Sequence, residues 1–165
     1  MEQKIKNVLF ICFGNTARSP AAEGIAKALK RDKYPNELSN ITFDSAGFFN
    51  IYKTAQEETI DYVKKSWNFD LSDHKGKIMD EGLLKKQDLI LAMEKRHLKR
   101  LKRKLKNLQN VHQKAQLLLE YAEISGNPNI EDPVNLDKKK YDKIMEQIEK
   151  GVLKSIEKII KINRK

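Results

Sequence analysis

The sequence has only one cysteine, Cys12, among its 165 residues. A single thiol excludes an intramolecular disulfide, and it cannot by itself form a structural zinc site. Long hydrophobic runs are also missing, since the apolar stretch from Val8 to Cys12 is too short for a membrane span or for the core of a signal peptide. We therefore expect a cytoplasmic protein with no membrane partner.

Internal repeats and linkers rich in proline, glycine or serine are absent, and the length is that of one domain, which we place at residues 1–165. Acidic residues are outnumbered, with 33 Lys and Arg against 23 Asp and Glu, for a net charge of +10. This excess favours anionic partners, but it does not choose between phosphate esters, nucleic acids and acidic surfaces.

The hydrophobic pattern alternates between short apolar runs, typical of buried strands, and amphipathic helices. Such alternation predicts right-handed βαβ units, and hence an α/β three-layer sandwich with a four-stranded parallel sheet flanked by helices. We expect strands at residues 7–12, 41–45, 88–93 and 115–119. We expect helices from Ser19-Pro20, over about 55–68, along a basic segment with Leu98, Leu101, Leu105 and Leu108 on one face, and from Tyr141 to Ile156.

The segment Cys12-Phe-Gly-Asn-Thr-Ala-Arg18-Ser19-Pro20 joins the first predicted strand to the first predicted helix. Gly14 and Asn15 tolerate left-handed backbone conformations, which can turn successive N–H groups inward as an anion-binding nest. The helix N-terminus adds positive potential, and Arg18 offers a planar fork for phosphate oxygens. Such surroundings favour a thiolate, and a Cys12 thiolate beneath a bound phosphate could attack phosphorus in line.

These residues resemble the phosphate loop of the low-molecular-weight protein tyrosine phosphatase family, which reads Cys, five residues, Arg and Ser, with Gly-Asn inside and Pro after. The family also has protein arginine phosphatase and arsenate reductase relatives. Further stretches resemble the family in the same order along the chain, and the resemblance implies a phosphotyrosine protein phosphatase I-like fold. These stretches are Asp44-Ser45-Ala46-Gly47, Leu71-Ser72-Asp73-His74, Asp88 to Met93, and Asp132-Pro133.

The resemblance implies a role for each site residue. Cys12 is the nucleophile, Ser19 donates a hydrogen bond to its thiolate, and Asp132 acts as general acid and then as general base. Asn15, Ser45 and His74 support the loop. The phosphate oxygens are held by the Arg18 side chain and by the backbone amides of Phe13, Gly14, Asn15, Thr16, Ala17 and Arg18. We expect no metal or other cofactor. The expected partners are a phosphorylated protein and, in the site, inorganic phosphate or another oxyanion.

Two departures from the family pattern bear on the substrate. Val134 and Asn135 follow Asp132-Pro133, where tyrosine phosphatases usually carry aromatic residues. Thr16 occupies a position that is often aliphatic in tyrosine-directed members and is Thr in the arginine phosphatases. Its hydroxyl could favour a phosphoguanidinium group, or it could only satisfy a loop amide. Phe13 could pack against a flat substrate group of either kind. We favour phosphotyrosine as the substrate and keep phosphoarginine as the alternative.

Other functions are less compatible with the sequence. Thioredoxin-coupled arsenate reductases need further cysteines to relay a disulfide, and this chain has none. A non-catalytic anion- or nucleic-acid-binding module would not need Cys12 together with Asp132. Residues 95–106 contain eight Lys or Arg and no acid, which we interpret as the solvated face of an amphipathic helix, so nucleic acid is not expected as a partner. We interpret His97 and His112 as surface or packing residues.

Overall fold

A computed structural model of the chain describes residues 3–50 and 52–165, and its centre is a parallel sheet of four strands. The strand order across the sheet is β2-β1-β3-β4, so β1 is central and contacts β2 and β3. The predicted α/β sandwich with a four-stranded parallel sheet is confirmed. The strands are β1 (Asn7–Cys12), β2 (Thr42–Gly47), β3 (Leu89–Ala92) and β4 (Ala115–Leu117).

The helices connect the strands and close the chain after β4. α1 follows β1 directly, with only residues 13–17 between them, and this short loop carries the predicted site. The final helix is the longest and begins at the side-chain cap of Asp137, whose carboxylate accepts from the backbone N–H of Lys140 at 2.9 Å. The helices are α1 (Arg18–Asp32), α2 (Glu57–Trp67), α3 (Glu81–Lys85), α4 (Lys95–Lys104), α5 (Gln109–Lys114), α6 (Leu118–Tyr121) and α7 (Lys138–Arg164).

The two faces of the sheet bury separate hydrophobic clusters, because successive side chains of a strand point to opposite faces. Val8, Phe10 and Cys12 of β1 belong to the larger cluster, which includes apolar residues of α1, α2, α6 and α7. Leu9 and Ile11 belong to the smaller cluster, which includes residues of α3, α4 and α5. The chain therefore forms three layers, with the sheet between two layers of helices.

Some predicted boundaries are wrong. The basic helix ends at Lys104, although Leu105 and Leu108 still pack against the smaller cluster beside Leu98 and Leu101. The fourth strand ends at Leu117, because residues 118–121 form α6, in which Leu118, Leu119 and Tyr121 are buried in the opposite cluster. A short apolar run does not distinguish a strand from a buried helical turn, which explains this error. α3, α5 and α6 were not predicted.

The carboxyl ends of β1 and β2 lie side by side, because Cys12 is in register with Gly47 across the parallel pair. The bottom of the sheet is joined to the last helix, where the side-chain amide of Asn163 exchanges two 2.8 Å hydrogen bonds with the backbone of Ile5. None of the helices in the described part of the chain combines the length and the apolar character that a membrane crossing requires.

Candidate active site

The thiol of Cys12 lies at the carboxyl edge of the sheet, where ligands bind in open α/β folds. The residue is 3% exposed, and its Sγ lies 2.9 Å from the hydroxyl oxygen of Ser19 in the first turn of α1. Ser19 is fully buried. Since a hydroxyl can rotate to donate, Ser19 is placed to donate a hydrogen bond to a thiolate at Cys12.

The loop between β1 and α1 turns through one left-handed residue. Asn15 has φ 55°, a conformation that Asn adopts at lower cost than most residues. The expectation that Gly14 would share this conformation is wrong, because Gly14 is not among the glycines with positive φ in the described chain. One left-handed residue is therefore enough to direct the chain from the strand into the helix.

The side chain of Asn15 connects this loop to three other segments. Its Nδ2 donates to the hydroxyls of Ser19 at 2.8 Å and Ser45 at 2.9 Å, and its Oδ1 accepts from the backbone N–H of Lys77 at 3.0 Å. Asn15 is fully buried, and both N–H groups and the oxygen of its side-chain amide have hydrogen-bond partners. The loop is thus joined to α1, to β2 and to the segment before α3.

A second buried group, Glu23, lies beneath the loop and was not identified as a site residue from the sequence. Its Oε2 accepts from the Ser45 hydroxyl at 2.5 Å and lies 3.8 Å from Nδ1 of His74. The other ring nitrogen of His74 lies 3.2 Å from the backbone oxygen of Asn15. Ser45 and His74 therefore meet at one carboxylate, and Asn15 contacts both of them. The signal in the sequence was the spacing of four residues after Ser19, which places both on one helix face.

The end of β2 approaches the loop so closely that only glycine fits there. A Cβ added at Gly47 would lie 2.8 Å from both the backbone N of Asn15 and the backbone O of Phe13. Phe48 and Phe49, which follow, donate their backbone N–H groups to the same Phe13 oxygen at 2.8 and 3.1 Å. The loop is therefore fixed by two sets of contacts. Side chains such as Ser45 and His74 bond to Asn15, and the backbone after β2 bonds to Phe13.

Arg18 begins α1 and is 2% exposed. Its Nη1 donates to the backbone oxygen of Ile130 at 2.8 Å and to the carboxylate of Glu94. Its Nη2 lies 3.7 Å from Oδ2 of Asp132. Within the described residues, Nε and Nη2 donate no hydrogen bond, so one edge of the guanidinium fork remains available for bidentate contact with an oxyanion.

Glu94 orients Arg18 and was also not identified from the sequence. It lies two residues after β3, where a carboxylate near the carboxyl end of a buried strand could have signalled a site. Burial raises the pKa of the Glu94 carboxyl, but hydrogen bonds from Arg18 and Arg96 outweigh burial and bring its pKa below the ordinary value. Glu94 is therefore ionised and fixes one side of the guanidinium.

His97 packs behind Glu94 and is 1% exposed, so of the two expected roles, surface or packing, the structure gives packing. Its Nδ1 accepts from the backbone N–H of Glu94 at 3.1 Å, which leaves the proton of a neutral ring on Nε2. Burial lowers the pKa of His97 to about 3, and the positive charge of Arg18 contributes. The ring is therefore neutral near pH 7.

Asp132 approaches Arg18 from the segment between α6 and α7. Its side chain is 39% exposed, and its Oδ1 accepts from the backbone N–H of Val134 at 3.1 Å. The structure thus brings Asp132 to the guanidinium of Arg18, whose neighbour Ser19 contacts Cys12. Asp132 is more exposed than Cys12 and Arg18, and its carboxylate accepts one hydrogen bond from a described residue.

The backbone amides of the loop are unpaired within the described part of the chain. The N–H groups of residues 13–17 donate to none of the residues that the structure describes, and α1 begins without a side-chain cap. Several adjacent unpaired backbone donors are rare in proteins, and at a helix N-terminus they form an anion site. This arrangement suits a tetrahedral oxyanion above Cys12.

Thr16 and the nearby aromatic residues border this anion site. Thr16 is 8% exposed and its backbone oxygen accepts from Gln56 at 2.8 Å, but its hydroxyl makes no hydrogen bond to a described residue. The interpretation that the hydroxyl satisfies a loop amide therefore has no support. Phe13 and Phe49 lie with ring centroids 5.0 Å apart, and Phe49 is 40% exposed.

Comparison with known proteins agrees with this geometry. The family model for low molecular weight phosphotyrosine protein phosphatase matches residues 7–165. The chain belongs to this family.

Individual relatives extend the comparison. A low molecular weight protein-tyrosine-phosphatase of Acinetobacter johnsonii is 34% identical over 90 residues, which are 54% of this chain and 58% of that relative's length. The crystal structure of a low molecular weight protein tyrosine phosphatase from T. tengcongensis has a TM-score of 0.79 and 34% identity, with 93% of this chain and 99% of that chain covered. The YwlE arginine phosphatase from Geobacillus stearothermophilus shares the fold, with a TM-score of 0.77 and 19% identity over 93% of this chain and 92% of that chain.

Proposed function

We propose that this protein hydrolyses phosphotyrosine in proteins through a covalent phosphocysteine intermediate. One observation carries the proposal: Sγ of Cys12 lies 2.9 Å from the Ser19 hydroxyl, at the base of a loop whose five backbone amides donate to none of the described residues. A binding module would not need a nucleophile at this position. The names of the relatives support phosphotyrosine as the substrate.

In the first step, the Cys12 thiolate attacks phosphorus and the bond from phosphorus to the tyrosine oxygen breaks. Asp132 gives its proton to the departing phenolate oxygen. The loop amides and the free edge of Arg18 hold the three non-bridging oxygens as charge develops on them. Because Nη1 is fixed by Glu94 and Ile130, the guanidinium does not need to reorient on binding.

In the second step, water attacks the phosphocysteine and Asp132, now ionised, takes a proton from that water. The phosphorus–sulfur bond breaks, phosphate leaves, and Cys12 returns as a thiolate that the Ser19 hydroxyl stabilises. Amides and Arg18 supply all the charge stabilisation in this scheme, so we assign no metal to it. We assign the protein to the cytoplasm, which agrees with its single unpaired thiol.

The test is hydrolysis of para-nitrophenyl phosphate by the wild type and Cys12→Ser, with vanadate binding measured on both. We expect the variant to lose turnover and still bind vanadate, because the amides and Arg18 remain. Ser39→Ala, at an exposed serine outside the site, is the control and should keep full activity. Turnover retained in Cys12→Ser would remove the nucleophile assignment. A wild type that binds vanadate without turnover would indicate a non-catalytic module.

Phosphoarginine is the second candidate substrate, because the Thr16 hydroxyl has no partner among the described residues and borders the oxyanion site. Paired peptides carrying phosphotyrosine or phosphoarginine separate the two, and Thr16→Val removes the hydroxyl while keeping the shape of the side chain. If phosphoarginine is the substrate, the variant should lose turnover of that peptide selectively. If both peptides respond equally to the substitution, Thr16 does not select the substrate.

A further inference from the structure

An arginine of α4 lies against the aromatic residues beside the site. The guanidinium carbon of Arg100 is 4.7 Å from the ring centroid of Phe49, 5.5 Å from that of Phe13 and 5.6 Å from that of Phe48. Contacts of this kind attract the cation to the faces of the rings. They restrict a long side chain that would otherwise sample many rotamers.

The charge of Arg100 has no counterion in the described part of the chain. No carboxylate of a described residue forms a salt bridge with it, whereas Arg96, one turn earlier, pairs with Glu94 at 2.9 Å. Aromatic rings occupy the faces of a guanidinium and leave its N–H groups, which lie in the plane, free to donate. Arg100 is exposed, so these donors are open to a partner.

The position of Arg100 relates it to the substrate. Phe13 directly follows Cys12, and Phe49 lies two residues after the end of β2. Arg100 therefore lies at the rim of the site, beside the residue next to the nucleophile. Arg103, three residues further along α4, is also exposed and has no salt bridge to a described carboxylate. Residues three apart on a helix are neighbours, so the two arginines present one positive surface.

We propose that Arg100, with Arg103 behind it, binds carboxylates that flank the phosphorylated residue, so that the preferred substrates are phosphorylated sites in acidic polypeptide segments. The inference rests on the proposed function. Arginine suits this task because its planar fork matches a carboxylate and its charge does not titrate. A polypeptide is favoured over nucleic acid because Arg100 lies against the ring of Phe13, the residue next to the nucleophile, where the chain on either side of a bound phosphoresidue must pass.

The experiment compares two phosphopeptides that differ only in their flanking residues, Glu in one and Gln in the other. The phosphoresidue is the one that the wild type hydrolyses faster. We expect kcat/KM of the wild type to be about fivefold higher for the Glu peptide, the upper range for an exposed ion pair. Arg100→Gln should remove this preference and leave hydrolysis of para-nitrophenyl phosphate unchanged, while Arg100→Lys should retain part of it. High salt should reduce the preference.

Lys102→Gln is the matched control, because it removes one positive charge from the same helix at an exposed position on another face. It should keep the preference for the Glu peptide. Equal rates for the two peptides in the wild type, a preference that survives in Arg100→Gln, or an equal loss in Lys102→Gln would each overturn the proposal.

Failure of this inference can be distinguished from failure of the proposed function. A wild type that hydrolyses both peptides equally would leave the phosphatase assignment intact and remove only the acidic preference. A wild type that hydrolyses neither peptide would overturn both. A different result would show that the surface of Arg100 and Arg103 binds nucleic acid and that the proposal is wrong. That result is binding of single-stranded RNA to the wild type and not to Arg100→Gln, with equal hydrolysis of the two peptides.

Discussion

The two sides of the candidate site are built differently. The floor, residues 12–19, is buried except for the partly exposed Phe13 and Gly14, and Asn15 alone makes three hydrogen bonds through its side chain. The acid side, residues 130–135, presents Asp132 with 39% of its side chain exposed and one hydrogen bond of 3.1 Å from the neighbouring Val134. The candidate nucleophile therefore lies in the half with many hydrogen bonds, and the candidate acid lies in the half with few.

This difference predicts which substitutions should change both activity and stability and which should change activity alone. The side chains of Asn15 and Ser19 in the floor are buried and bonded to each other, so removing one costs folding free energy through lost hydrogen bonds. Groups of the acid side can turn to water when a partner is lost, so their substitution should change function alone. The predictions below test this contrast, from the largest expected effect to the smallest.

Asp132→Asn should lower kcat for phenyl phosphate by about 10²–10⁴-fold, because the phenolate leaves without a proton. Its free energy of unfolding should change by less than about 0.5 kcal/mol, the usual range for a surface position. Steady-state kinetics and urea unfolding measure the two quantities, and Glu131→Gln at the exposed neighbouring position is the control. An unchanged rate would place the acid elsewhere, and a large loss of stability would contradict the contrast between the two sides.

Asn15→Ala should lower the free energy of unfolding by roughly 3 kcal/mol, because it removes the three hydrogen bonds of the buried side chain to Ser19, Ser45 and the Lys77 N–H and places Ala at a left-handed φ. Asn15→Gly removes the strain and should be more stable than the Ala variant by about 1 kcal/mol. Asn68, at the exposed end of α2, has φ 49°, so Asn68→Ala reports strain without the buried bonds. Equal losses in Asn15→Ala and Asn68→Ala would disprove the role of the network.

His97 should make stability depend on pH. Its pKa is lowered in the fold to about 3 from 6.5, so between these values the unfolded chain binds a proton that the folded chain does not. Stability from this group is therefore present above pH 6.5 and decreases as pH falls, by about 1.4 kcal/mol per pH unit.

The measurement is urea unfolding of the wild type and His97→Asn at pH 7 and pH 5. The variant lacks the titrating group, so the stability advantage of the wild type should shrink at the lower pH. Parallel behaviour of the two proteins would show that His97 is not buried in the neutral form.

Val134→Tyr should have the smallest effect on the fold and a modest effect on specificity. Val134 is 44% exposed, so stability should change by less than about 0.5 kcal/mol. A ring at this position could pack against a phenyl group and raise kcat/KM for a phosphotyrosine peptide by about 2–10-fold, the contribution of an aromatic pair. A phosphoarginine peptide is the control. An equal gain for both peptides would show that the new ring does not recognise the phenyl group.

The part of the site that lies within one continuous segment was the part that the sequence predicted well. The strand ending at Cys12, the turn at Asn15 and the helix carrying Ser19 follow one another, so local pattern and turn chemistry were sufficient. Glu94 and the backbone oxygen of Ile130 contact Arg18 from positions 76 and 112 residues away. Contacts so distant in the chain depend on how strands and loops pack, and no local pattern encodes them.

The sequence by itself determined the class of fold and the segment of the candidate site, because hydrophobic periodicity and the order of residues 12–20 are short-range properties. Only the tertiary structure decided that a buried carboxylate fixes Arg18, that His97 packs in neutral form behind it, and that Arg100 stacks at the rim. The physical reason is that burial and distance between remote residues set charge states and contacts. Both arise only when β1, β3 and α4 pack together around the loop.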